Sequence, residues 1–386
     1  MSLAERVADA WDTVFRMLPH RAPTGLVAIG HPSRTSPVLL TCNYSYTVRR
    51  LRRILRGLDV WLLVANSNGI NVWCAAGGGH LTHHDVISVI RTSRVDERVD
   101  QRVLILPQLG ATGIERRAVE QATGWKTKWG PTMAEYLPEY LARGLRGRKA
   151  WRKAPFLLGD RLQMATMWGA PMALIGLPLI WAVASLSTAL VACAIVLALV
   201  YGLFVALPRL RVDGYARWFT LCAAATLGAL VGLTLLWSVS ALSALSATTL
   251  SVAVFVALGV LSIDLNGTTP DHPSDINTRG GRPLVELDAE RCTGAADCVL
   301  VCPRDVLQMV RGARKVSIAR EADCIACGAC VVQCPEDALH FRMPDGSYVA
   351  PETIRSTRMN MLGKRTISIK PASAAKTSAP TPTKRP

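Results

Sequence analysis

Two uninterrupted apolar stretches dominate the hydropathy pattern of this chain. No charged residue occurs from 162 to 208, and none from 218 to 263. Each stretch is roughly twice the ~20 residues a helix needs to cross a bilayer. Each therefore predicts a helical hairpin, giving four spans at about 164–184, 187–207, 218–238 and 240–262. Runs of this length argue against a buried helical core. Trp168, Trp181, Trp218 and Trp237 fall near the expected ends, where aromatic side chains favour the interface. Ahead of these stretches, residues 24–30, 37–42, 60–65 and 103–107 are short apolar or β-branched runs of strand length. Between them, 47–57 and 85–93 have helical spacing. Strands alternating with helices predict a mainly parallel, doubly wound (Rossmann-like) α/β sheet, with ligands beyond the carboxyl ends of its strands. Residues 1–18 read as an amphipathic helix through Leu3, Val7, Trp11, Val14 and Phe15, without the apolar core or cleavage site of a signal peptide.

The pattern divides the 386 residues into a 1–153 α/β domain, a 154–264 membrane domain, a polar linker at 265–282 and a 283–345 module with short strands at 284–287, 315–318 and 338–342. A tail follows at 346–386, rich in Lys, Ser, Thr, Ala and Pro and expected to be disordered from about 364. Charge sets the orientation. Arg143, Arg146, Arg148, Lys149, Arg152 and Lys153 precede the first span, and Arg209, Arg211 and Arg217 lie between the second and third. The turns near Ser185 and Ser240 carry no charge. Short basic loops stay cytoplasmic, so both soluble parts are expected on the cytoplasmic face of a multi-pass protein of the cell (inner) membrane. These flanks and the basic tail explain most of the +16 net charge. No nucleic-acid module accompanies it.

Seven of the eleven cysteines lie in the 283–345 module, in two copies of one pattern. Cys292, Cys298 and Cys302-Pro303 recur at a constant offset as Cys324, Cys330 and Cys334-Pro335. The second copy adds Cys327, whose counterpart is Ala295. Its C-x2-C-x2-C-x3-C-P run is that of bacterial dicluster ferredoxins, whose fourth cysteine ligates the other cluster. An α+β ferredoxin domain is expected. The crossed rule assigns Cys302, Cys324, Cys327 and Cys330 to one [4Fe-4S] cluster. The second set, Cys292, Cys298 and Cys334, lacks a ligand at Ala295, which predicts a [3Fe-4S] or incomplete [4Fe-4S] cluster, or none. Asp297 is near the vacant position but not at it. The interleaved duplication argues against a structural zinc site. Cysteines in a reducing compartment do metal or cofactor work rather than form disulfides. Cys193 and Cys222, inside expected spans, read as small apolar residues.

A second constellation follows the strand at 60–65. In Asn71-Val72-Trp73-Cys74-Ala75-Ala76-Gly77 a cysteine sits among small residues where the fold places ligands. Taken alone, Cys74 reads equally well as a small buried hydrophobe. The motif resembles the cap helix of the mercury-methylation corrinoid proteins, relatives of the large subunit of the corrinoid/iron–sulfur protein of the acetyl-CoA pathway. The resemblance extends over Thr41-Cys42-Asn43-Tyr44, residues 57–77, Ile105-Leu106-Pro107-Gln108-Leu109, Thr123-Gly124-Trp125 to Gly130-Pro131, and Leu265-Asn266-Gly267-Thr268-Thr269-Pro270. The ferredoxin part resembles the separate ferredoxin partner of that system, here fused.

The resemblance implies a cobalamin-type corrinoid whose cobalt is held by Cys74 from its lower face. Trp73, Val72 and Asn71 would shape that face, and Ala75, Ala76 and Gly77 would let the helix approach the flat macrocycle. It implies methyl transfer from a methylated carrier or methyltransferase, with Hg(II) as the family's acceptor. The clusters, fed by an electron donor, would keep the cobalt reduced. The chain departs from the family in three places: Gly78-Gly79-His80 replaces a lysine after the motif glycine, no cysteine follows Cys334, and Ala295 removes a cluster ligand. His80, His83 and His84 could bind a metal, but Thr82 before Asp85 reads as the start of a helix. The rival reading is a membrane-bound ferredoxin-type electron carrier that moves no methyl group.

Overall fold

The computed structural model describes residues 2–210, 214–264 and 283–358. The expected linker at 265–282 and the tail from 359, including the start of expected disorder at 364, lie outside the described residues. After helix α1 (Leu3–Val14), the first domain contains β1 (Gly25–Ile29), β2 (Val38–Cys42), α2 (Ser45–Ile54), β3 (Val60–Ala65), α3 (Val72–Gly78), α4 (His83–Ser93), β4 (Val103–Leu106), α5 (Arg116–Thr123), β5 (Lys126–Trp129) and α6 (Leu137–Ala142). The five strands form one sheet in the order β1-β3-β2-β4-β5. β3, β2, β4 and β5 are parallel, and β1 closes one edge antiparallel to β3. Both faces are covered, which explains why β2 and β3 are apolar at almost every position. Val38, Leu40, Cys42, Leu63 and Leu106 face the core under α4 and α5, while Leu39, Leu62, Val64 and Ile105 face the side of α2 and Tyr140.

Four helices follow: α7 (Leu158–Val183), α8 (Leu186–Ala206), α9 (Gly214–Ser238) and α10 (Ala244–Asp264). Among the described residues these are the helices long and apolar enough to cross a membrane. Their outer surfaces expose Leu174, Ile175, Leu179, Leu227 and Leu230. Trp181, Trp218 and Trp237 are exposed near helix ends, as expected. Trp168 is not: α7 starts six residues earlier than the expected 164, so Trp168 lies inside the helix and is buried. The charged residues Asp160 and Arg161 of the first turn conceal that start in the sequence. Between the α/β domain and α7 the chain folds back on the sheet. Trp151 stacks on Tyr136 with ring centroids 5.5 Å apart, and Gln108 donates to the Arg152 carbonyl at 2.7 Å. Gln163 of α7 donates to the Tyr46 hydroxyl at 3.1 Å.

The last module contains β6 (Leu284–Leu287), α11 (Asp297–Val301), β7 (Leu307–Met309), β8 (Val316–Ile318), α12 (Ala329–Val332), β9 (Leu339–Arg342), β10 (Tyr348–Val349) and α13 (Pro351–Ser356). It is larger than the expected 283–345. β10 pairs with β9 and α13 packs on α12, so the start of the expected tail belongs to the folded module. Pro351 at the first helical turn and buried Ile354 give the reason.

This module is docked on the α/β domain. Val301 and Ala329 are buried in the same core as Val38, Leu63 and Leu106, with Leu300 and Cys327 packed against it. Buried Gln333 donates to the carbonyls of Ala111 (2.8 Å) and Ile114 (2.7 Å) and accepts from the Arg116 amide at 3.3 Å. Arg116 pairs with Asp297 at 2.5 Å, and the Ala154 amide donates to the Pro303 carbonyl at 2.9 Å. Gln333→Ala leaves two buried carbonyls without donors, a penalty of about 1–3 kcal/mol for each. We expect amide exchange at residues 111–116 to rise about tenfold or more, measured by deuterium uptake of the full chain; uptake equal to wild type would show that Gln333 does not hold this loop.

Candidate functional site

The turn from β3 into α3 is organised by one buried side chain. The Asn43 carbonyl oxygen, just beyond β2, accepts from the Ser67 amide (2.8 Å), the Ser67 hydroxyl (2.9 Å) and the Gly69 amide (3.0 Å). Its amide group donates to the Ala22 carbonyl at 3.3 Å. The turn is thereby fixed to the neighbouring strand. Asn71 then caps α3, its side-chain oxygen accepting from the Cys74 amide at 3.1 Å. The helix stops at Gly78 because Gly79 takes a left-handed conformation (φ 79°), which glycine adopts without strain.

Cys74 is exposed and, with Asn71, Val72, Trp73 and Gly78, lines a cavity of about 810 Å³. Ala75, Ala76 and Gly77 are buried. They do not line the cavity, and Ala76 lies close to the 110–114 loop. A Cβ on Gly113 would fall 2.4 Å from the Ala76 carbonyl oxygen, so that loop needs its glycine as well.

The cavity lies beyond the carboxyl ends of β2, β4 and β5, marked by Thr41, Leu106-Pro107 and Gly130-Pro131. Tyr44, Tyr46 and Thr47 form one wall. Gln163, Met164, Met167 and Trp168 of α7 form another, so the first long apolar helix is part of the site. Sequence reasoning missed this wall, since nothing local in α7 signals which domain it faces. It also missed the role of Asn43.

The three histidines separate. His80 lines the cavity, and its Nδ1 lies 3.2 Å from the Asn68 side-chain amide. His83 and His84 begin α4, their rings 4.1 Å apart. Thr82 precedes them as the expected cap, its amide and hydroxyl both donating to Asp85 at 2.8 Å. Burial, followed by the neighbouring His84, holds the His83 imidazole below its ordinary range. Among the described residues, no group of three or more His, Cys, Asp or Glu is arranged to hold a single metal ion.

The cysteine module contains two small cavities. Cys302, Cys324, Cys327 and Cys330 line one; Cys292, Cys298 and Cys334 line the other, with Ala295 in its wall. These are the two sets given by the crossed rule. The copies also share a backbone. Gly294 and Ala326 occupy equivalent left-handed positions (φ 73° and 52°), as do Ala296 and Gly328 (φ 67° and 82°). The loop lacking its cysteine keeps the shape of the complete one even though Ala296 is strained there. The Cys302 and Cys334 sulfurs each accept a backbone amide at 3.3 Å, from Val306 and Ala338. Burial pushes the Cys298 thiol up to about 12, with Cys334 adding to it, and pushes Cys330 well above its ordinary value. Sulfur so placed becomes thiolate only with a cation beside it. Asp297 turns to Arg116; burial raises its carboxyl while Arg116 opposes the rise.

Residues 16–141 match the family model described as CO dehydrogenase/acetyl-CoA synthase delta subunit, and residues 291–339 match the 4Fe-4S dicluster domain. The chain is similar to the acetyl-CoA decarbonylase/synthase complex subunit gamma of Methanopyrus kandleri, 35% identical over 127 residues that make up 32% of this chain and 27% of that protein. The Archaeoglobus fulgidus subunit is 35% identical over 115 residues (29% and 24%), and that of Methanothermobacter thermautotrophicus 33% over 125 (32% and 27%). The chain thus spans about a quarter of the length of these relatives. The matched segment contains Asn43, α3, the strand ends and the Tyr44–Thr47 wall of the large cavity. It excludes α7.

Asn43→Ala strands the Ser67 and Gly69 amides, at about 1–3 kcal/mol for each group left buried without a partner. We expect the urea midpoint of the α/β domain to fall, and Asn43→Asp, which keeps the acceptor, to retain more of the stability; equal losses in the two variants would remove the hydrogen bonds as the cause.

Proposed function

We propose that this chain is a membrane-anchored corrinoid protein of methyl transfer whose fused dicluster ferredoxin returns its cobalt to the reduced state. One observation carries the reading. The exposed Cys74 faces an 810 Å³ cavity beyond the strand ends, on the same domain to which the cysteine module is docked. The cavity suits a flat macrocycle rimmed by amides. Its walls are apolar at Trp73, Leu106, Pro107, Leu109 and Trp168, while Thr47, Tyr46 and Gln163 offer polar partners. The matches of residues 16–141 and 291–339 support the pairing of these two activities in one chain.

A bound corrinoid supplies a cobalt that accepts a methyl group and passes it on. The chain's residues position it. Cys74 would supply a soft sulfur donor to the cobalt. Asn71, by holding the Cys74 amide, fixes where that sulfur points. Ala75, Ala76 and Gly77 anchor the helix from behind, and Trp73 and Val72 flank the donor. Cys302, Cys324, Cys327 and Cys330 would hold a four-iron cluster, and Cys292, Cys298 and Cys334 a three-iron or open four-iron one. Such clusters pass single electrons at potentials tuned by hydrogen bonds to sulfur, and the amides on Cys302 and Cys334 are of that kind. Fusion and docking keep donor and acceptor together.

The four long apolar helices support a bilayer anchor with both soluble parts on the cytoplasmic face. A methylated carrier or methyltransferase and an external electron donor complete the cycle. The resemblance makes Hg(II) the first acceptor to offer. The carrier-only alternative predicts iron–sulfur absorbance and no corrinoid.

Purification with cobalamin present should give a protein whose visible spectrum shows cobalt–thiolate absorption, lost in Cys74→Ala while the iron–sulfur absorbance stays. A protein that takes up no corrinoid would leave the electron-carrier reading in its place. Ala295→Cys puts a thiol on a backbone already shaped like that of Cys327. We expect its paramagnetic resonance spectrum to become that of two complete four-iron clusters; a spectrum identical to wild type would remove position 295 from the ligand shell.

A further inference from the structure

Helix α1 has its two faces reversed relative to a helix that meets water. Its Asp9 and Asp12 side chains point into the protein. Asp9 pairs with Arg49 (2.8 Å) and Arg53 (2.5 Å), and Asp12 pairs with Arg49 (2.7 Å) and His20 (3.0 Å). Ser45 donates to the Asp12 carboxylate and Tyr44 to its backbone carbonyl. The apolar side chains point outward. Leu3, Val7 and Trp11 recur every fourth residue and are 78%, 62% and 59% exposed, and Met17 and Leu18 just beyond the helix are exposed as well. In a soluble domain such a stripe faces the core. Here ion pairs occupy the inward face.

What covers the outward face follows from its neighbour. α1 packs against α7, whose first turns also expose Leu157, Leu158 and Leu162. The stripe is therefore continuous with the apolar surface of the membrane-length helices. At twelve residues α1 is too short to span a bilayer, which takes about 20. A short helix with one apolar face, a tryptophan and exposed Arg6 has the character of a helix lying in the lipid–water interface.

We propose that α1 lies in the plane of the membrane surface, with Leu3, Val7 and Trp11 among the lipid chains; this rests on the four-span reading above. The ion pairs to α2 make α1 a strut between the bilayer and the α/β domain. Arg16, Met17, Leu18 and Pro19, just beyond α1, line the large cavity together with Gln163, Met164 and Met167 of α7. The cavity mouth is therefore set at the lipid–water boundary, with α1 as its lip.

Photocrosslinking of the full chain in phosphatidylcholine–phosphatidylglycerol vesicles tests this. p-Benzoylphenylalanine is placed singly at Val7, at Leu227 on the outer surface of α9, and at Lys126, exposed at the end of β5 remote from the cavity. Position 7 should form lipid adducts at a yield within about twofold of position 227 and at least about fivefold above position 126. Lipid adducts at 227 without any at 7 would overturn the placement of α1 and leave the spans intact. Adducts from position 7 to a second copy of the chain would overturn it in favour of a protein interface. Absence of lipid adducts at 227 would remove the spans and this inference together.

Discussion

The arrangement turns on a close backbone contact: Ala76 of α3 lies against the 110–114 loop. Ala76 and the Leu81 carbonyl on one side and Gly113 on the other leave no room for a Cβ on that glycine. Interiors are packed to crystal-like density, so this contact decides which way a seven-residue helix faces. With its small side inward, Cys74 must point outward. The same loop is held from its other side by Gln333, the residue before Cys334. One segment of the α/β domain thus supports both α3 and the cysteine module. The exposed Cys74 and the buried cysteines are positioned about a shared loop.

Burial in the cysteine module has a different logic. An apolar pocket that raises thiol pKa values is a poor place for sulfur anions and a good place for sulfur bound to iron, because metal charge replaces lost solvation. The incomplete copy shows how strongly the backbone is specified. Ala296 retains a conformation natural to glycine, and the loop around Ala295 keeps its course, although the sulfur is missing. Packing of α11 against the α/β core and the Arg116–Asp297 pair give that copy a structural task apart from ligation. Asp297 is occupied by docking, which agrees with its position one step away from the ligand series.

Where the sequence was legible, the signal was periodic or repeated. β3 has the expected bounds because six consecutive apolar residues bury both faces. The duplicated cysteines place their cavities because spacing and proline constrain a short chain strongly. β5 escaped because Lys126, Thr127, Lys128 and Trp129 alternate over only four residues, too few for a period to stand out. The fold of 346–356 escaped because its stability comes from pairing with β9, a contact invisible locally. The burial of Ala75–Gly77 was not legible for a physical reason: small residues permit close approach, and the sequence does not say whether a ligand or the protein itself approaches. Asn43 and Gln333 act through backbone groups that carry no sequence signature at all.

α1 sharpens this last point. Its amphipathic spacing is plain in the sequence, yet spacing gives a stripe and not a direction. Arg49 and Arg53 on α2 determine the direction, since burying Asp9 and Asp12 without them would cost several kcal/mol for each carboxylate. Once those pairs form, the apolar stripe has to face away from the domain. The arginines needed to turn α1 over therefore come from a helix about forty residues later, and the apolar surface they expose adjoins α7. A charge pattern on α2 thus fixes which side of α1 is turned away from the α/β domain, beside α7. The chain just beyond α1 in turn lines the cavity beside Cys74.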